Sequence, residues 1–325
     1  MNHVLLIAVG NIGFRHFQAL LNCSSSFDLY VVDFDDSAIT RAKLYAADNA
    51  NGRLIYYYSS LKDIDVPTAF HTAIIATSSI PRRAVFEELI SLHTVKNIIF
   101  EKVLFPRVED YLHVQTLLDK GGIAAYVNCI RRTADVYIAL REELAAAKKI
   151  FFSMRGGDWG LACNSIHILD LFAFLTGAEN PAVSCSGAML EDKIFESKRS
   201  NYIEFYGKLV GKLNEQSLFS IDCIHGQSAA EIEIYTDATY YCICESMGTI
   251  LSQPLDGSKP ADIRRFDLLP VSQTTNQVVD QLFSGQIPKL TAYRESADLH
   301  VPILQEFIKK RNALIEKEED LCPIT

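Results

Sequence analysis

Gly10 and Gly13 in "IAVGNIGFRHFQAL", Ile7 to Leu20, are spaced as the second and third glycines of G-x-G-x-x-G, the turn that cradles a dinucleotide pyrophosphate. The second glycine lets backbone approach the phosphates, the third lets helix lie close on strand, and the helix N-terminus faces the anion. Ala8 stands at the first glycine, where a Cβ is accommodated if the local φ stays negative. Ala8, Gly10, Asn11, Ile12 and Gly13 are therefore the expected contacts to a dinucleotide.

About 20 residues further on, Asp33 in "YVVDFDD" ends the second strand-like run, where a carboxylate accepts hydrogen bonds from the adenosine ribose. Asp35 and Asp36 add negative charge that opposes a 2′-phosphate unless Arg41 or Arg15 turns toward it, so NAD is expected over NADP. On their own, those two acids read as a solvated turn capping the next helix. Thr77 and Ser78 in "IATSSIP" end the fourth strand and are expected to line the cofactor cleft.

Metal chemistry has little support, because the eight histidines include no H-x-x-x-H and the eight cysteines no C-x-x-C. The cysteines read as reduced, mostly buried thiols, and Cys242 and Cys244, two positions apart in a strand-like run, as packing residues.

The elements that must hold these residues follow from hydrophobic spacing. Up to about Tyr126, the apolar runs "HVLLIAV", "FDLYVVDF", "RLIYYY", "TAFHTAIIAT", "VKNIIFEK" and "GIAAYVNC" alternate with helical segments at 15–22, 38–48, 80–93 and 107–118. Short buried runs between helices predict a doubly wound α/β domain with a parallel sheet, a Rossmann arrangement over residues 1–126. Beyond it lie a helix at 134–148, the strand "KIFFSMRG" and a helix at 164–175. The alternating segments "NYIEFYGKL", "SLFSIDCIHG", "AAEIEIYTD" and "TYYCICES" then predict an α+β domain over 127–325 with an open, mostly antiparallel sheet. "SQPLDGSKPADIRR" reads as a loop. The two segments after it read as helices, with the C-terminal helix expected to pack back on the first domain.

A length of 325 residues suits two domains, and 49% hydrophobic with 22% charged residues is ordinary globular composition. The net charge of −9, with only short basic runs, argues against nucleic acid as a partner. The apolar run Val4 to Val9 is too short for a signal segment and no other run suits a bilayer, so the reading places the chain in the cytoplasm, away from membranes.

With the turn, "EKV" after the fifth strand and "CNSIHILDL" in the second domain, the chain resembles the glucose-fructose oxidoreductase and inositol dehydrogenase family, often written Gfo/Idh/MocA, over nearly its whole length. The family's "GNIGxRH" turn is matched by Gly10 to His16, and its Glu-Lys-Pro tripeptide by Glu101, Lys102 and Val103. Its helix motif D-x-x-x-H-x-x-D aligns on Cys163, His167 and Asp170, with cysteine at the first acid and Asn164 beside it as a hydrogen-bonding group.

The resemblance implies an NAD(P)-dependent oxidoreductase moving hydride between nicotinamide and a secondary alcohol or ketone of a sugar, nucleotide sugar or polyol, possible in surface-polysaccharide sugar synthesis. His167 would carry the hydroxyl proton and Lys102 would hydrogen-bond the reacting oxygen, with Glu101 by the cofactor. Trp159, Asn164, Asp170 and Arg131 would contact substrate, Trp159 by stacking on a sugar ring and Arg131 through an anionic group. Core packing for Trp159 and a hinge salt bridge for Arg131 are the competing readings. Ser296 and His300 read as mainly structural. A homodimer or homotetramer is implied, through the open face of the second sheet. Two alternatives stay open: a homologue that binds NAD or sugar without turnover, and a reductase of an imine, diketone or dihydrodiol.

Overall fold

A computed structural model describes residues 2–65, 69–177 and 182–325; Thr68, at the head of the expected fourth strand, lies outside them. The chain forms two compact units. The first holds residues up to Phe105, with Glu109–Ile130 and Leu269–Tyr293, and the second holds Pro106–Val108, Arg131–Leu268 and Arg294–Thr325.

In the first unit, β1 (His3–Ile7), α1 (Asn11–Leu21), β2 (Asp28–Val32), α2 (Asp36–Asn49), β3 (Ile55–Tyr58), β4 (Ala69–Ile75), α3 (Ser79–Leu92), β5 (Thr94–Phe100), α4 (Val108–Gly121) and β6 (Ala124–Val127) alternate. The six strands are parallel in the order 3-2-1-4-5-6, the doubly wound Rossmann arrangement expected from the sequence. Val4, Leu5 and Leu6 on β1 are all fully buried, which is why this strand is apolar without alternation.

The second unit contains α5 (Asp135–Leu144), β7 (Ile150–Gly157), α6 (Leu161–Leu175), β8 (Val183–Leu190), β9 (Phe195–Glu196), β10 (Ile203–Glu204), β11 (Gly207–Leu213), β12 (Ser217–Ile224), β13 (Ser228–Thr236), β14 (Thr239–Cys244), β15 (Thr249–Pro254) and β16 (Asp262–Arg265). Its large sheet runs β16-β15-β14-β13-β7-β12-β11-β8, antiparallel except for the β7–β12 pair. One face is covered by α6, whose Phe172 stacks on Phe152 of β7 at 4.8 Å between ring centres. The strands alternate accordingly: Phe152, Met154, Phe219 and Ile221 are buried, while Phe151, Leu218 and Ile224 are exposed.

Two sequence expectations are corrected here. The expected loop "SQPLDGSKPADIRR" contains the end of β15 and all of β16, paired from Thr249↔Arg265 to Ser252↔Asp262. This is a polar edge hairpin, held by backbone bonds and lacking the apolar alternation that marks buried strands. The single expected strand "NYIEFYGKL" breaks into β10 and β11, because the chain turns through Gly207 at φ +108°, where a Cβ would meet the Met189 carbonyl oxygen at 2.4 Å.

The chain then adds α7 (Val271–Phe283) and β17 (Thr291–Ala292) to the first unit, β17 pairing antiparallel with β6. Val278, Val279 and Leu282 of α7 share a core cluster with Phe17, Leu20 and Leu21 of α1. Both sets repeat at i, i+3 or i+4, the spacing that puts apolar groups on one helical face. The helix that packs on α1 is thus α7, whereas α8 (Tyr293–Ile315) lies in the second unit from Arg294 onward. On α8, Ser296 and His300 are buried against each other, His300 Nδ1 lying 2.7 Å from the Ser296 carbonyl oxygen. Among the described residues no helix is long and apolar enough to cross a membrane.

Candidate functional site

The glycine turn joins β1 to α1. Ala8 adopts φ +69°, so the negative φ that would accommodate its Cβ without strain is not met: the turn is left-handed, at a cost of about 1–2 kcal/mol for a residue with a Cβ. That conformation sets the Ala8 carbonyl against Gly13, where a Cβ would stand 1.9 Å from its oxygen. Gly13 is therefore required by helix-on-strand packing. A Cβ on Gly10 would meet nothing within 4 Å, so no packing in the protein demands glycine there. Gly10 is the N-cap of α1, which starts with no side-chain cap and no acid in its first turn. Asn11 and Ile12 open the helix, and their N–H groups belong to the set that a helix leaves unpaired at its start.

Asp33 is turned inward and nearly buried. Oδ2 accepts from Val9 N at 2.7 Å and Oδ1 from Asp35 N at 2.9 Å, so the carboxylate ties the glycine turn to the end of β2. Asp35 caps α2 by accepting from Ser37 N at 2.8 Å, and hydrogen bonding from Ser37 holds its carboxyl below the ordinary value. Arg41 donates to the carbonyls of Val9 and Gly10 at 2.6 and 3.0 Å, and its guanidinium lies over Phe14. Phe34, between the acids, is 90% exposed.

At the carboxyl end of β5, Glu101 is buried in a network that sequence reading missed. His16 Nε2 lies 2.8 Å from Glu101 Oε1, Asn128 Nδ2 donates to the same oxygen at 2.6 Å, and His16 Nδ1 lies 2.8 Å from Thr275 Oγ1. Burial pushes the Glu101 carboxyl up, but His16, Asn128 and the charge of Lys102 together bring it below the ordinary value. The peptide between Lys102 and Val103 is cis. Arg82, buried on α3, donates to the carbonyls of Val103, Leu104 and Thr77 and so fixes the chain that follows Lys102 to the end of β4. Ser78 is the N-cap of α3, and Thr77 Oγ1 is buried with no hydrogen-bond partner among the described residues.

In the second unit, α6 is buried along most of its length, and Cys163, Asn164, His167 and Phe174 form its partly open stripe. The 4-, 3- and 7-residue separations from His167 put all four on one face. Glu204 caps the start of this helix, accepting from Ala162 N and, at 3.3 Å, from Cys163 N, so its negative charge sits at the positive end of the helix dipole. Asn164 Nδ2 donates to the Trp159 carbonyl at 2.7 Å, and the indole N–H of Trp159 donates to the Asp222 carbonyl at 2.9 Å.

Asp170 is fully buried, its Oδ2 accepting from Arg132 Nε at 3.0 Å, while Arg132 also reaches Glu295 at 2.8 Å. Arg131 meets Glu245 through two bonds of 2.8 Å, and Tyr137 donates to the same carboxylate at 2.6 Å. Burial would raise the Glu245 carboxyl, yet Arg131 and Tyr137 hold it below the usual range.

Trp159 and Asn164 are thus joined at the start of α6, with His167 about a turn further on along the same face, whereas Asp170 and Arg131 are each engaged in a separate ion pair. His16 had a readable signal: with Gly13, Phe17 and Leu20 it falls on the buried face of α1, where a polar ring needs a partner. Thr275 and Glu204 carried none, since each acts across a long stretch of chain. None of the eight cysteines is in a disulfide, and among the described residues no cluster of His, Cys, Asp and Glu is placed to hold a metal ion.

No protein-family model matches the sequence, and no curated protein sequence matches it. Solved structures share the fold. An oxidoreductase from Agrobacterium radiobacter in complex with NAD+, L-tartaric acid and magnesium is 14% identical, with a TM-score of 0.71 over 96% of this chain and 97% of that one. UDP-N-acetylglucosamine 3-dehydrogenase GnnA from Acidithiobacillus ferrooxidans is 16% identical, with a TM-score of 0.69 over 94% and 96%. A super-repressor mutant of Gal80p from Saccharomyces cerevisiae is 12% identical, with a TM-score of 0.72 over 96% and 97%.

Proposed function

We propose that the chain is an NAD-dependent oxidoreductase of the Gfo/Idh/MocA type, acting on a secondary alcohol or ketone of a sugar, nucleotide sugar or polyol. The observation that carries this reading is the contrast between Gly13, required by backbone packing, and Gly10, whose missing side chain leaves open space at an uncapped helix start. A pyrophosphate fits such a place, where N–H groups and the helix dipole attract an anion. The fold shared with oxidoreductases and a dehydrogenase supports the same reading.

Ala8, Gly10, Asn11, Ile12 and Gly13 would hold the pyrophosphate. Asp33, with one lone pair on each oxygen given to backbone, keeps others to accept from a ribose hydroxyl. The acids at the end of β2 and the engagement of Arg41 with the turn favour NAD over NADP. The buried hydroxyl of Thr77 fits a cofactor polar group, with Ser78 and Glu101 alongside.

Nicotinamide, when bound, supplies hydride acceptance or donation. His167 would take the hydroxyl proton during oxidation and return it during reduction, and Lys102 would hydrogen-bond the reacting oxygen and steady its developing negative charge. Asn164 and Trp159 would contact the substrate. Asp170 and Arg131, given their burial or pairing, would act by holding α6 and α5 in place. On the open face of the second sheet, Phe151 lies beside Leu218 and Tyr235 in register, an apolar patch suited to a homodimer or homotetramer.

A second reading, a binding protein without turnover, is favoured by Cys163 at the motif's first acid and by the fold shared with the Gal80p super-repressor. Incubation with NAD and a panel of sugars, nucleotide sugars and polyols separates the two. Reduced nicotinamide is expected with at least one of them; NAD binding with no reduction across the panel, and no reverse reaction, supports the binding protein.

A further inference from the structure

Residues 321–325 lie in the second unit and are bonded to two other segments of it. Leu321 forms an antiparallel bridge with Arg107, and the Cys322 N–H donates to the Pro106 carbonyl at 2.9 Å. The next residue engages a different segment: the Pro323 carbonyl accepts from Ile203 N at 2.8 Å. Thr325 Oγ1 then accepts from Arg199 at 3.0 Å, and Cys322 and Ile324 are buried. The chain leading in is fixed as well, with Glu319 accepting from Arg311 at 2.6 Å and Asp320 paired with Arg107.

Ile203 and Glu204 make up β10, whose strand partner is the equally short β9. Two strands of this length have little stability of their own, so β10 depends on what else grips it. Pro323 holds Ile203, and Arg199, in the turn between the strands, holds Thr325. Phe205, fully buried, stacks on Phe307 of α8 at 5.1 Å between ring centres.

Glu204 is where this grip reaches α6. The N-cap, Gly160, has no side chain to cap with, and the nearly buried Glu204 carboxylate takes that role from outside the helix. Oε1 accepts from Ala162 N and, at 2.9 Å, from Phe205 N, while Oε2 accepts from Cys163 N at 3.3 Å. The first N–H groups of a helix have no partner within it, and a buried carboxylate moved off its donors is an uncompensated charge. Cap and helix start are therefore fixed together. Burial pushes the Cys322 thiol up to about 12 against the pull of Arg311, and the charge of Glu204 adds to the rise, so Cys322 stands close to the cap. Cys163 and Asn164 precede His167 by four and three residues on one face, so a shift of the helix start is a shift of the stripe that bears His167.

We propose that residues 321–325 are a clasp that holds β10 so that Glu204 caps α6, and that the clasp, with Glu204 as the positioning residue, sets the placement of His167. The proposal rests on the oxidoreductase reading for what His167 does, but not for the clasp itself.

Ile324→Asp drives a buried side chain toward water and is expected to release the clasp, whereas Ile324→Val keeps an apolar contact and should behave as wild type. In the full-length protein, amide exchange over residues 161–165 is expected to quicken at least about tenfold in Ile324→Asp while β7 and β12 keep their protection. NAD affinity should stay at the wild-type value and kcat for hydride transfer should fall at least about tenfold, as misplacement of a catalytic group brings. A chain ending at Asp320 should show the same two losses, and the peptide Leu-Cys-Pro-Ile-Thr added in trans should restore both. If Ile324→Asp does not fold, Thr325→Val, which removes only the hydroxyl bound to Arg199, is read for the same direction of change. Exchange over residues 161–165 that ignores the loss of the clasp, or that quickens no more than in β7 and β12, overturns the proposal, as does an unchanged kcat in an active enzyme. The expected exchange pattern in a wild type that transfers no hydride removes the enzyme and keeps the clasp; hydride transfer with exchange and kcat indifferent to every variant does the reverse.

Discussion

His16 Nε2 and Glu101 Oε1 stand 2.8 Å apart with both side chains out of solvent, joining the helix of the glycine turn to the segment that follows β5 and carries Lys102. Through Thr275 on the other ring nitrogen, α7 enters the same network, although it is 259 residues away in sequence. Asp280 of α7 adds a second tie by accepting from Ser24 and Ser25. The helix of the glycine turn and the segment that leads into Lys102 are therefore joined by one buried polar cluster.

Glu101→Gln tests that cluster by pH. The Glu101 carboxyl lies below its ordinary 4.5 in the folded chain, so its stabilisation is full above about that pH and is lost as pH falls through the lower folded value. At neutral pH the variant is expected to lose about 1.5–3 kcal/mol in urea unfolding, the worth of a charge-assisted hydrogen bond. The gap to wild type should close in acid; a gap independent of pH would refute an ionised Glu101.

Gly10→Ala and Gly13→Ala should part company. The first adds a methyl to open space at φ −58°, so unfolding by urea should be nearly unchanged while NAD affinity falls. The second forces a Cβ against the Ala8 carbonyl and should cost about 1–3 kcal/mol, the range for overpacking. Equal stability losses in the two variants would contradict the assignment.

Ala8→Gly removes the left-handed strain at φ +69°. The relief of about 1–2 kcal/mol is partly offset by about 0.5–1 kcal/mol of extra chain entropy. A net gain of about 0.5 kcal/mol is expected in denaturant midpoints, and a clear loss would show that the methyl is a packing contact.

Asp170→Asn leaves Arg132 buried with Glu295 as its remaining acid. A loss of about 2–4 kcal/mol is expected, toward the lower end of values for broken buried pairs. A variant as stable as wild type, yet weaker for sugars, would instead make Asp170 a substrate contact.

Much of the fold was legible because apolar runs on β1, β2, β4 and β5 and alternation on β12 and β13 are direct consequences of which faces are buried. The edge strand β16 was not, since it has no buried face to write a pattern. At the candidate site, Gly10, Gly13 and Asp33 were singled out by spacing, but spacing says nothing about where a carboxylate points. Asp33 turns back to Val9 and Asp35, and Ala8 takes the conformation its residue type disfavours. His16 was readable as a polar residue on an apolar helix face, while its partners, from β5 and α7, come together only in the folded chain.

The most direct test is hydride transfer itself: NAD and the sugar panel with wild type, His167→Ala and Lys102→Ala, with NAD affinity measured on each. The account predicts reduced nicotinamide from wild type and a fall of about 100-fold or more in each variant, the range for losing an acid–base group, with NAD still bound. Turnover that survives in both variants, or none in wild type carrying NAD, would contradict it.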